Sequence, residues 1–102
     1  MESTYDVVWP KSPRGVQSRP LADRVDTLNG KRVAFLWDHL FRGDEIFPVL
    51  EAELVERFPD VEIVGHDVFG NTHGRDEKEM VAGLPNGLSS RHIDAVVSAM
   101  GC

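Results

Sequence analysis

The chain has 102 residues, a formal net charge of −6 and a pI near 5.1, with 41% hydrophobic and 27% charged residues. That is room for one small domain with a modest core. The acidic balance lacks the basic footprint of a nucleic-acid binder. No apolar run approaches the ~20 residues of a membrane-spanning helix.

The start, Met1 to Asp6, shows no basic region followed by an apolar core, so it does not read as a secretory signal. A single cysteine leaves no internal disulfide framework. Both point to a reducing cytoplasm.

Residues 1–28 read as an extended N-terminal arm, and residues 29–102 as an α/β unit. Pro10, Pro13 and Pro20 break any regular period in the arm. Val7-Val8-Trp9 suits a short edge strand or an apolar tether, and Leu21 to Val25 suits one helical turn. Asn29-Gly30 is a turn signal.

Lys31 to Trp37 is apolar through its body and reads as the first core strand. The loop Asp38 to Asp44 follows, with Gly43 for a tight turn and Asp44 as the expected N-cap. Ile46, Phe47, Leu50, Leu54, Val55 and Phe58 then recur at helical spacing, and Pro59-Asp60 stops the helix. Val61 to Phe69 reads as a second strand, running into the polar loop Gly70-Asn71-Thr72-His73-Gly74.

A second helix begins at Asp76, with Met80, Val81, Leu84 and Leu88 as its inward face; Pro85 predicts two short pieces. The last stretch, Ile93 to Cys102, is apolar and β-branched and reads as a buried parallel strand. Strand, helix, strand, helix, strand with short links predicts a three-layer α/β fold with a short parallel sheet, half of a flavodoxin- or Rossmann-like domain. In the order 2-1-3 the last strand lies at an edge with nothing following it, so the unit reads as truncated.

In such sheets ligands gather beyond the carboxyl ends of the strands. Three segments then converge: Asp38 to Gly43, Gly70 to His73, and Gly101-Cys102. Arg42 and Gly43, beside a helix N-terminus, suit a carboxylate or phosphate group, and Asn71 and Thr72 share that edge. The other reading of Arg42 is a solvated arginine or a partner of Asp38.

His73 suits proton donation, or lowering of a neighbouring thiol pKa, against a capping role in the second helix. His39 is a weaker candidate, since Leu40-Phe41 beside it suggest packing. His66 and His92 read as structural or solvent-facing. No metal-ligand spacing, Walker loop or GxGxxG is present, so neither metal nor nucleotide cofactor is expected.

Phe35 to Asp38, Phe41 to Pro48, Phe69 to Gly74 and Asp94 to Cys102, in this order and spacing, resemble the UGSC family of (seleno)proteins over about residues 20–102. In that family the last strand continues into selenocysteine-Gly-Ser-Cys, or a cysteine version of it, followed by more α/β structure. The resemblance implies that this chain is the N-terminal portion of a longer selenoprotein, cut at a selenocysteine codon. It implies thiol or selenol redox or reductive chemistry on a small-molecule or thiol substrate, with the 102-residue chain itself inactive. Cys102 would neighbour the selenocysteine, with resolution of a selenenyl-sulfide as one role. Alone it is a weak nucleophile, because an unperturbed thiol is mostly protonated at neutral pH. The alternative is a complete small interaction domain, pairing as a homo-oligomer or with another partner through its last strand.

Overall fold

A computed structural model describes residues 3–13 and 15–101. The elements are β1 (Arg32–Trp37), α1 (Gly43–Arg57), β2 (Glu62–Val64), a 3₁₀ turn (His66–Val68), α2 (Glu77–Ser90) and β3 (Ala95–Ala99). The three strands form one parallel sheet in the order β2-β1-β3. Val33 pairs with both Ile63 and Ala95, which sets the register across the sheet.

The central strand β1 is buried on both faces. Val33 and Phe35 pack with Phe47 of α1 and with Val61 in the core, and Leu54, Phe58, Ile63, Ala95 and Val97 close around them. Phe35 and Phe47 meet edge to face at 5.1 Å, the arrangement that aromatic quadrupoles favour. Ala34 and Leu36, which face the other way by strand alternation, are buried as well.

The inward seam of α1 is Phe47, Glu51, Leu54 and Phe58, spaced by four, three and four residues. Leu50 and Val55, expected to face the core, are exposed because they fall off that seam. The helix starts at Gly43, so Asp44 lies in its first turn rather than at the cap. Arg42 holds the cap position without a side-chain hydrogen bond to it. Gly43 opens the helix because a Cβ there would overlap the Trp37 indole.

The second strand is shorter than expected. Regular pairing ends at Val64, and His66–Val68 coil into the 3₁₀ turn, whose Val68 N–H donates to Gly65 O at 3.2 Å. Likewise α2 is one continuous helix through Pro85, not two pieces. Pro85 is exposed, so the carbonyl four residues earlier can turn to water. Its half-buried apolar residues are Met80, Leu84 and Leu88, while Val81 is exposed.

β3 is also shorter than the predicted stretch, and it is not buried on both faces. Ala95, Val97 and Ala99 are half-buried, and Val96 and Ser98 are exposed, because only one side packs on the core. Leu21 to Val25 forms no helical turn, and every described residue from 3 to 27 is exposed. Without core contacts, a five-residue segment cannot offset the cost of helix nucleation. No helix is long and apolar enough to cross a membrane among the described residues.

Two side chains pin the ends of the sheet. At the amino end, Arg32 bonds Glu62 through Nε (2.6 Å) and the Arg91 carbonyl (2.8 Å), while its backbone N–H donates to Asp94 Oδ2 (2.9 Å). At the carboxyl end the corresponding residue is Asp38.

Candidate functional site

Asp38 follows β1 directly, and its own N–H extends the ladder to Ala99 O at 3.2 Å. Its carboxylate then turns back to the chain. Oδ1 accepts from the N–H groups of Leu40 and Met100, both at 3.1 Å, and Oδ2 accepts from Gly101 N–H at 2.9 Å. Desolvation alone would raise the Asp38 pKa. The hydrogen bonds from Leu40, Met100 and Gly101 outweigh it and hold the carboxyl below its ordinary value of 3.8. One anion thus fixes the first carboxyl-end loop to the last.

The middle loop is tied to the same strand end. Asn71 bridges to Trp37 in parallel register, and Thr72 N–H donates to Trp37 O at 3.1 Å. Asn71 Oδ1 accepts from His73 N–H at 2.9 Å, an Asx turn that sets the path into Gly74. The three segments expected from topology therefore meet around the carboxyl end of β1: residues 37–43, 71–73 and 100–101.

The individual side chains are less focused. Arg42 is exposed, and its Nε pairs with Glu45 Oε2 at 3.0 Å; it does not pair with Asp38, whose oxygens are taken by backbone N–H groups. His73 is exposed, with Nδ1 3.9 Å from Glu77 Oε1. Gly43 is buried against Trp37, while Asn71 and Thr72 are half-buried. Cys102 lies outside the described residues.

His39 stacks on the Trp37 indole, ring centroids 4.4 Å apart. Trp37 Nε1 donates to Leu40 O at 2.9 Å, and His39 and Phe41 take the left-handed conformation unusual for side-chain-bearing residues. His66, read from sequence as structural or solvent-facing, stands edge-on to Trp37 at 5.0 Å and 6.2 Å from His39. Shortening β2 brings it there, since the 3₁₀ turn rotates residue 66 toward the strand end. Among the described residues no group of three or more potential metal ligands gathers.

Beside the middle loop a cleft of about 490 Å³ is lined by Phe69, Gly70, Asn71, Gly74, Arg75, Asp76, Glu79 and Met80. Gly70 and Asn71 link it to the expected site. From sequence Glu79 and Met80 read as the acidic start and inner face of α2, and nothing in the sequence pattern marks Arg75. From sequence Asp38 reads as a loop residue and a possible partner of Arg42, not as an anchor of the last loop. Its place after an apolar strand and before Leu40 is an Asx-turn signal, but its hold on Met100 spans 62 residues and leaves no local trace.

This is a small parallel α/β unit whose polar loops gather at the carboxyl end of its central strand. The UGSC family model matches residues 6–102, nearly the whole chain, and the protein belongs to the UGSC family. The match begins well inside the arm, further upstream than the motifs in the α/β unit alone suggest. No curated protein and no solved structure matches the chain.

Proposed function

We propose that this chain is the N-terminal portion of a UGSC-type (seleno)protein whose extended form carries thiol or selenol redox or reductive chemistry at the carboxyl end of the sheet. In this reading the three-layer, flavodoxin-like arrangement is completed by sequence beyond Cys102. The observation that supports it best is the grip of Asp38 on Met100 and Gly101. These residues lead straight into Cys102 and the position where the family carries its selenocysteine-Gly-Ser-Cys motif. A reactive selenol or thiol needs a fixed backbone to meet its substrate in a productive pose.

Arg42 would hold an anionic part of a small-molecule or thiol substrate, with Gly43, Asn71, Thr72 and His39 around it. His73 would supply a proton or a positive charge beside the nucleophile. Arg42 and His73 are exposed; the Arg42–Glu45 pair is a surface pair worth about 0–1 kcal/mol, and His73 Nδ1 lies 3.9 Å from Glu77 Oε1. A substrate carboxylate or phosphate displaces such partners at little cost. Cys102 would act as nucleophile or as resolving thiol.

The test compares the 102-residue form with a form extended through the family motif in thiol-dependent reduction of peroxide and disulfide. The extended form turns over and the short form does not; equal activity sinks the reading. Sequencing the gene past Cys102 is the companion test, and an in-frame UGA followed by Gly-Ser-Cys is the expected result.

A second reading is carried by a separate observation. Among the described residues β3 pairs only with β1, and its outer edge, Ala95-Val96-Val97-Ser98-Ala99, bears no charge and no proline. Natural edges usually carry such blocking residues, and an unblocked one is a template for strand addition. On this reading the unit is an interaction domain that pairs with another chain through β3.

A further inference from the structure

From the reading of β3 as a pairing edge, on which it rests, we infer that the occupant is Tyr5–Trp9 of a second copy, exchanged reciprocally between two chains. The segment Tyr5-Asp6-Val7-Val8-Trp9 is rich in residues that favour strands, yet Tyr5, Val7, Val8 and Trp9 are 77–90% exposed. Four large apolar side chains in one extended run have no cover on their own unit. The described residues 3–26 make no hydrogen bond to residues 29–101.

Charge favours the same meeting. Residues 10–22 carry Lys11, Arg14 and Arg19 and no acidic residue, whereas residues 29–102 carry seven Lys and Arg against thirteen Asp and Glu. A basic tether thus leads the apolar segment toward an acidic unit. The outer edge of β3 offers unpaired backbone groups over five residues, matching the five of the segment, and Val96 stands exposed beside it. Backbone pairing then supplies affinity, and the apolar side chains shield each other. The family match from residue 6 includes almost all of this segment.

The experiment is sedimentation of the 102-residue chain over a concentration series, with Val8→Asp and Val96→Lys beside it. Val8 is exposed in the arm, so its substitution leaves the folded unit intact, and circular dichroism checks the fold of the Val96 variant. The unmodified chain dimerises, each variant raises the dissociation constant at least about tenfold, and an equal mixture of the two variants regains a dimer through its one intact arm–edge pair. If Val96→Lys dissociates the dimer and Val8→Asp does not, the edge reading stands and the arm is overturned as its occupant. A monomer at all concentrations, or a dimer indifferent to both changes, overturns both.

Discussion

Asp38 and Gly43 sit five residues apart and constrain the first loop in opposite ways, one by attraction and one by lack of bulk. The depressed pKa of Asp38 means that its folded form binds the proton less readily than its unfolded form. Its contribution to stability is therefore fully present above the ordinary 3.8 and is lost as pH falls through the lower folded value. Asp38→Asn should lower the urea midpoint at neutral pH and speed amide exchange at Met100 and Gly101. The gap to the unmodified chain should narrow below about pH 4. A gap unchanged at acid pH would show that the carboxylate charge does not hold the loop. Gly43→Ala places a methyl group where the Trp37 indole lies, a clash expected to cost about 1–3 kcal/mol. Chemical denaturation measures the loss, and a shift in Trp37 fluorescence reports the displaced ring.

At the scale of elements, α2 treats its proline differently from what local preference suggests. Pro85 lies inside α2 with solvent on its side, and the helix passes through it. Pro85→Ala restores a backbone donor and removes the ring, so thermal unfolding should show a gain of about 1–3 kcal/mol. An unchanged or lowered midpoint would mean that the proline packs against something the helix needs. Phe47 does the reverse duty in α1: it is 1% exposed and touches the core from the only helix packed on Val33 and Phe35 among the described contacts. Phe47→Ala should cost about 3–5 kcal/mol, much of the total stability of a unit this small. Loss of cooperative unfolding by near-ultraviolet circular dichroism is the expected sign.

For the whole molecule, the contrast is between a folded unit and an arm exposed at every described residue from 3 to 27, with Leu28 the first to pack on the core. Lys11 and Arg24 lie in that arm without burial and neither precedes a proline, so trypsin should cut there first and leave a fragment beginning at residue 12 or 25. Mass spectrometry of a time course identifies the fragment. Early cuts within α1 or β3 instead would mean that the unit opens as readily as the arm. Because the cut releases Tyr5–Trp9, the same digestion should turn the proposed dimer into monomers.

The order of strands and helices was legible because apolar runs and helical spacing are local signals. Lys31–Trp37, the seam through Phe47, Leu54 and Phe58, and the run at Val96-Val97 announce their elements without help from the rest of the chain. The gathering of the three carboxyl-end loops was legible too, since parallel order dictates it. Lengths were not. Whether Val61 to Phe69 stays extended depends on how many residues find a partner on β1, and pairing stops at Val64. That early stop carries His66 into the aromatic group around Trp37, which no local pattern announces. The burial of β3 was overread for a related reason: an apolar run states which side chains prefer cover, not whether two faces are available. The hold of Asp38 on Met100 and Gly101 joins positions about sixty residues apart, and only the folded chain brings that carboxylate to those amides. The sequence by itself therefore determined the kinds and order of the elements, through spacing and turn chemistry. The tertiary structure alone decided where each ends and which distant groups meet, because both depend on pairing and burial between segments far apart in the chain.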